Sequence, residues 1–386
     1  MEGGQQRHRF GVVITGEGGD ACGGRGFLEN FSIRMNTWYH IRRLSVALTA
    51  LAALVSCHGF VYEQEEDCTV YYRVKFRYDM NLKFADAFAH EVKSIRLCAF
   101  DMEDELVWET SEQGEALAAR DYVMTLPLDP GKYRLVAWCG LGDGASFCLP
   151  DAEPARDPRD LHCRMNCVSV ISPESSDGLK QPAYSDRDLQ PLFHGMMEVE
   201  LPDNHDGGEY IYEMSLTKDT NVFRVVLQHL SGEDIHPADF EFSIEDDNGW
   251  LAFDNSILRE EPVVYRPWKV YSGAAGVEKG RAITSVQVAV AELTVNRLVM
   301  RDWTKYRQPM LTIRSASDGK LIASLPVIDY ALLVKGAHHQ QMDDQEYLDR
   351  ADEYNMTFFL DRNDNWVSTV IQVNSWQVVL NDSGLD

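Results

Sequence analysis

The sequence is short of positive charge: 36 Lys and Arg stand against 61 Asp and Glu in 386 residues, a formal net charge of −25. Such a chain repels a phosphate backbone and offers no basic stripe to anionic headgroups, which excludes nucleic acid as its partner. Catalytic signatures are missing as well. There is no HExxH pair, and His338-His339 precede a polar stretch that suits a solvated loop better than a metal site. A nucleophile elbow needs glycine on both sides of its serine, yet Gly144-Ala145-Ser146-Phe147-Cys148 ends in cysteine. Asp361-Arg362-Asn363-Asp364-Asn365-Trp366 opens like a calcium loop, but Trp366 stands where glycine is required and Gln372 where the bidentate glutamate belongs, so a hairpin turn is the better account. The pairs Asp246-Asp247 and Asp343-Asp344 have no evident partner to tune them for acid-base work in a chain so rich in carboxylates. These absences lead us to expect no enzyme, no resident metal and no cofactor.

What is present near the start is an ordered succession: Met35, the basic pair Arg42-Arg43, the uncharged run 44–55, then Ser56-Cys57. As a helix that run would cover about 18 Å, against a hydrocarbon core of roughly 30 Å, so it is too short to span but right for a secretory signal. Leu54-Val55-Ser56-Cys57 has the form of a lipobox, with an aliphatic residue at −3 and a small one at −1, which makes Cys57 the expected lipidation site. Residues 35–56 are then a lipoprotein signal peptide, and the Gly-rich residues 1–34 a non-native or misassigned extension. Removing residues 1–56 takes away six Lys/Arg and four Asp/Glu, leaving 30 basic against 57 acidic residues in a 330-residue mature chain. Residues 57–68, with Glu63, Glu65, Glu66 and Asp67, suit an acidic tether.

Export also bears on the cysteines. With Cys22 and the lipid site set aside, Cys68, Cys98, Cys139, Cys148, Cys163 and Cys167 would meet an oxidising compartment, where disulfides are expected though their pairing is not readable. A zinc site from Cys139, Cys148, Cys163 and Cys167 is the alternative, disfavoured because no CxxC knuckle is present.

From residue 69 onward the dominant period is two. Val70, Tyr72, Val74, Phe76 and Tyr78 alternate with Tyr71, Arg73, Lys75 and Arg77, the pattern of a half-buried strand. Phe84, Phe88 and Val92 fall four apart, which predicts a short helix over 81–92. Asp129-Pro130-Gly131 marks a turn before a strand ending at Cys139, and another strand is expected over 193–201. Residues 140–188, filled with Gly, Pro, Ser, Asp and Cys, read as long loops outside the sheets. The polar stretch 202–208 is the best domain boundary, giving sandwich domains over 69–203 and 209–386. Strand texture returns at 210–217, 221–230, 240–244, 286–293, 310–313, 356–360, 366–373 and 376–380, with helices over 326–334 and 343–354. The expected fold is mainly β, two tandem Greek-key sandwiches with a few short helices. Trp138, Trp250, Trp268, Trp303, Trp366 and Trp376 lie among these strands; they suit sandwich cores, with sugar stacking as the alternative.

The order of certain segments carries a resemblance. The lipobox, the strand from Val70, Pro127-Leu128-Asp129-Pro130-Gly131-Lys132-Tyr133-Arg134-Leu135-Val136-Ala137-Trp138, Leu216-Thr217-Lys218, Gln345-Glu346-Tyr347-Leu348-Asp349-Arg350 and Ile371-Gln372-Val373-Asn374-Ser375-Trp376 together resemble FimB-type minor fimbrial subunits of Bacteroidales across the mature chain. That resemblance implies two transthyretin-like sandwiches, an outer-membrane lipid anchor, and a place at the base of a type V pilus. Its implied partners are other fimbrial subunits, joined by strand addition, and a host-surface ligand for the fibre. A glycan-binding surface lipoprotein is the alternative function.

Overall fold

The structure is a computed structural model that describes residues 69–142, 144–152, 155–168, 182–204, 207–279, 282–335, 339, 341–373 and 376–379. Residues 1–68, and with them the signal segment, the tether, Cys57 and Cys68, lie outside the described residues, as does His338. Among the described residues twenty-two strands form five sheets.

The first sandwich faces a three-stranded sheet against a five-stranded one. In the smaller sheet β1 (Val70–Arg77) lies between β10 (Gly208–Ser215), which it pairs in parallel, and β4 (Met124–Leu126), antiparallel. The larger runs β11 (Thr217–Lys218), β9 (Phe193–Leu201), β5 (Gly131–Cys139), β2 (Ser94–Phe100), β3 (Leu106–Gln113). The alternation read from β1 holds: Tyr72, Val74 and Phe76 enter the core, where they meet Leu97, Leu135, Phe193 and Met214, while the residues between them face outward. Phe88 stacks on Phe76 with ring centroids 6.0 Å apart. The helix expected over 81–92 shrinks to Phe88–Glu91. Asn81 and Asp86 are the cause, because their side chains take backbone partners that a helix would use: the Asn81 carboxamide donates to the Tyr78 and Ala85 carbonyls, and Asp86 Oδ1 accepts from the amides of Tyr78 and Phe88. Phe84 is left at φ 51° on the surface, not on an apolar stripe.

The second sandwich is larger. One sheet runs β16 (Lys269–Lys279), β17 (Ala282–Val295), β12 (Asn221–His229), β20 (Glu353–Leu360), β21 (Trp366–Val373), β22 (Trp376–Val379). The other runs β19 (Leu321–Pro326), β18 (Met310–Ser315), β13 (Phe240–Asp246), β15 (Val263–Tyr265), β8 (Ala183–Ser185). Phe223, Val225, Leu227, Ile244, Tyr265, Leu293, Ile313 and Phe358 fill the space between. The helices predicted near 326 and 343 appear as Val327–Leu332 and Asp344–Arg350, the second capped by Asp343, whose side chain accepts from the Glu346 amide.

Two expectations are corrected here. β9 and β10, on either side of the boundary expected at 203/209, belong to the same sandwich, so that boundary falls inside the first body; the chain passes to the second at Asp219–Thr220, between β11 and β12. Nor do the described parts of 140–188 lie outside the sheets. β6 (Phe147–Cys148), β7 (Cys163–Met165) and β14 (Trp250–Leu251) make a third small sheet, and β8 pairs in parallel with β15. Ala152, Ala155, Leu161, Cys163, Met165, Leu189 and Leu192 are buried in the larger core together with Cys98, Phe100, Val136 and Trp138 from the outer face of the first sandwich. Polar composition hid this because the apolar residues are scattered singly. Gly140 opens the excursion at φ 91°, where a Cβ would collide with the Pro191 carbonyl.

Candidate functional site

Residues singled out for chemistry prove to have structural work. Cys98, Cys139, Cys148, Cys163 and Cys167 stand as free thiols, the first, second and fourth of them buried, and Cys68 lies outside the described residues. Burial pushes Cys98 up to about 11, with Arg96 pulling the other way, and Cys167 likewise to about 11. Thiols held protonated in this way are poor zinc ligands. No group of three or more His, Cys, Asp or Glu able to hold a metal occurs among the described residues, and the alternative zinc quartet is split, with Cys139 in the first core and Cys163 in the second. Ser146 accepts from the Gln190 amide at 3.1 Å. Asp361 accepts the amides of Asn363 and Asn365 at 2.8 and 2.9 Å, the turn that the failed calcium pattern suggested. Asp344 pairs with Lys335 at 2.7 Å. Asp247 pairs with Arg307 at 3.1 Å, and its amide donates to Asp246, whose carboxyl burial pushes up to about 7. His339 rests against Tyr347.

Trp138, Trp250, Trp303 and Trp366 behave as core, whereas Trp268 is half-buried with the Lys269 ammonium 5.9 Å from its ring. Trp138 is 1% exposed and donates through Nε1 to the Leu161 carbonyl at 2.9 Å, while Trp303 and Trp366 pack on the larger core. Trp250 is buried with the guanidinium groups of Arg259 and Arg164 at 3.8 and 5.3 Å from its ring. Stacking surfaces so occupied are not open to sugars.

The charged chemistry of the molecule gathers instead where the sandwiches meet. Lys218 of β11 places its ammonium 3.1 Å from Glu91 and 2.7 Å from Asp352. Burial alone would lower this lysine, but the two carboxylates, Asp352 foremost, outweigh it and hold it above its ordinary value. Next along the chain, Asp219 is fully buried, its Oδ1 accepting from Asn255 Nδ2 at 2.8 Å and lying 3.7 Å from Arg297 Nε. Burial pushes its carboxyl up to about 7 against the pull of Arg297. Arg297 forks onto Asp349 at 2.9 and 2.7 Å and donates to the Asn255 carbonyl, and Gln345 Nε2 braces Asp349 at 2.8 Å. Asn255 takes φ 66°, a conformation that asparagine tolerates. From the same helix Arg350 donates to the Asp79 carbonyl at 3.0 Å, while its own carbonyl accepts from the Leu82 amide at 3.1 Å. His194 of β9 completes the seam, tilted on Trp138 at 4.6 Å with Nε2 2.8 Å from the Phe253 carbonyl; burial pushes it down to about 4, so it stays neutral.

Helix Asp344–Arg350 therefore clasps the first sandwich to the second. In the sequence Leu216-Thr217-Lys218 and Gln345 to Arg350 are family-like strings without an evident role. A lysine ending a two-residue strand and an acidic helix elsewhere carry no local mark of being partners. The arrangement pairs cations of one body with carboxylates of the other and so holds the two together.

Known proteins share this architecture. A solved Bacteroides thetaiotaomicron protein assigned as an adhesin is 34% identical, covering 81% of this chain and 98% of its own, with a TM-score of 0.69. A second from that organism, assigned as polysaccharide-binding, is 25% identical with a TM-score of 0.64, covering 81% and 99%. The minor fimbrium anchoring subunit Mfa2 of Porphyromonas gingivalis is 24% identical over 233 residues, 58% of this chain and 66% of that protein, just under two thirds of its length. The solved structure of Mfa2 shares the fold with a TM-score of 0.58. The model of fimbrillin-A associated anchor proteins Mfa1 and Mfa2 matches residues 64–382, a span that contains both sandwiches and the seam between them, and the chain belongs to that family.

Proposed function

We propose that this protein is a minor fimbrial subunit, lipid-anchored in the outer membrane through Cys57, that tethers an adhesive fibre to the cell surface by strand-mediated contacts with other fimbrial subunits. The observation that carries the reading is the family match, which starts at residue 64, a few residues after the lipobox cysteine, and runs through both bodies. A tether needs a stable membrane hold and a body that does not come apart under load. Multiple acyl chains on one cysteine would supply the first, since a single chain binds only marginally. The buried clasp supplies the second. Such a role requires no catalytic residue.

The test is purification of the intact lipoprotein from cell envelopes, with mass spectrometry of its N-terminal peptide and of the proteins that accompany it. An acylated Cys57 together with fimbrial subunits is the expected result. A Cys57→Ser chain should be shed from the membrane fraction; retention there would end the lipid-anchor reading.

A second reading, glycan binding at the cell surface, draws on the 25% identical protein assigned as polysaccharide-binding. The burial of Trp138 and the occupied faces of Trp250 weigh against it. Binding of the purified chain to a glycan array, with no fimbrial subunit in the envelope preparation, would reverse the preference.

A further inference from the structure

An open sheet edge is a template for another strand, and folded proteins blunt such edges by keeping them short or by placing charge or proline along them. Among the described residues most edges here are blunted. β4, β8, β11, β14 and β6 have three residues or fewer, and β22 has four. β10 carries Glu209 and Glu213, ion-paired with Arg73 and Arg77 at 2.7 and 3.1 Å. β3 carries Glu109 and Glu112, and β19 ends on Pro326. β16 keeps its charges, Lys269, Glu278 and Lys279, to its two ends and has none of these devices between them. Its eleven residues read KVYSGAAGVEK, without charge or proline from Val270 to Val277. At this length the edge extends about 36 Å.

The two sides of its hairpin are treated differently. β17 pairs with β12 only as far as Ala289, opposite Leu227, yet β16 and β17 stay paired from Lys269↔Glu292 to Lys279↔Ala282. A two-stranded ribbon thus runs on beyond the third strand. At Gln287 its β17 side is met by the chain leaving β12: the Gln287 amide donates to Asp234 Oδ1 at 2.7 Å, and the Ile235 amide donates to the Gln287 carbonyl at 3.2 Å. Among the described residues no such bond reaches the outer side of β16. There Ser272, Ala274 and Gly276 are exposed and Val270 is 44% exposed. Gly273 faces the other way, where a Cβ would press within 3.0 and 3.1 Å of the Val290 and Val288 methyl groups.

We propose that the free edge of β16 receives an extended segment of another fimbrial subunit as an added strand. The inference rests on the fibre-tethering reading and names its docking site. Main-chain hydrogen bonds would hold the segment, and alternate side chains would set specificity. The track Ser272-Gly273-Ala274-Ala275-Gly276 leaves room beside it, so the incoming strand carries larger apolar residues at alternate positions and no charge along this stretch. Charge lies only at the ends of the edge, Lys269 at one, paired with Glu292 at 3.9 Å, and Glu278 with Lys279 at the other. A second copy of this chain fits poorly, because two bodies of net charge −25 repel each other.

The experiment uses the full-length lipoprotein in its own cell envelope, carrying a photo-crosslinking aromatic residue at Ala274 or, as a control edge, at Leu321 of β19. Covalent adducts with a fimbrial subunit are expected from position 274 and not from 321. Ala274→Lys with Gly276→Lys, both at exposed positions without positive φ, is expected to lower the co-purifying subunits about tenfold at an unchanged melting temperature. If fimbrial subunits accompany the wild-type protein but no adduct forms at 274, the β16 site is wrong and the fibre role stands. If no fimbrial subunit accompanies the wild-type protein, both fall. Should the double variant melt earlier, the crosslink at 274 decides alone.

Discussion

The two cores of this molecule differ in independence. The first is closed on itself: Phe76, Leu97, Leu135, Phe193 and Met214 meet one another between two sheets made almost wholly from residues 70–218. The second cannot be completed from the residues that follow it. It takes β8 into one sheet, leans on the small sheet of β6, β7 and β14, and buries Trp138 and Val136 from the back of β5. A core that borrows from its neighbour ties the two bodies into one folding unit, whereas two self-contained cores would need only a linker.

That asymmetry is open to direct attack. Phe76→Ala and Trp138→Ala each remove a large, buried ring, at a cost of about 3–5 kcal/mol. Hydrogen exchange should separate them: Phe76→Ala is expected to expose the first sandwich while the amides of β12 and β20 stay protected, and Trp138→Ala to loosen both. Equal effects of the two on β12 and β20 would mean that the cores are not asymmetric.

The charged seam allows a milder break. Lys218→Ala strands Glu91 and Asp352 without their shared cation, at about 1–3 kcal/mol. The loss should appear as faster proteolysis between β11 and β12, with little change inside either core. A calorimetric transition that splits in two would sharpen the comparison by giving each body its own stability.

Asp219 gives an effect distinct in kind, one that varies with pH, because Arg297 offsets only part of its burial cost. Its folded-state value of about 7 lies above the ordinary 3.8, so the folded state holds this proton more tightly. Its contribution therefore falls as pH rises from about 4 through about 7. Asp219→Asn is expected to raise the melting temperature at pH 8 relative to the parent, to raise it less at pH 5, and to leave it nearly unchanged below about pH 4. A pH profile identical to the parent's would show that this carboxyl is not the one titrating at the seam.

Local rules made part of this fold legible. β9 and β21 begin and end where the alternation of Phe193–Leu201 and Trp366–Val373 predicts, since a strand with one wet face writes its period into the sequence. Partners distant along the chain left no such mark. The parallel pairing of β1 with β10 and of β8 with β15 joins residues with no shared local pattern, and so the polar stretch 202–208 has the look of a boundary although the strands on either side of it share one sandwich. β16 escaped notice because Ser272-Gly273-Ala274-Ala275-Gly276 lacks the branched and aromatic residues that advertise a strand. The clasp escaped because Lys218, Arg297 and Asp349 read singly as ordinary surface charges, and Asp219 as one carboxylate among 61 acidic residues. Phe84 misled in the opposite direction, supplying a helical spacing that the backbone does not use.

The parallel pairing of β1 with β10 has a mechanical meaning. A pull on the chain ahead of Val70 draws β1 toward its own start, while the load returns through the far end of β10, by way of β11, into the second body. The two forces lie along the strands and point opposite ways, so the eight paired residues resist together in shear. Had the strands been joined as an antiparallel hairpin and pulled from its open end, the same bonds would have unzipped one after another at far lower tension.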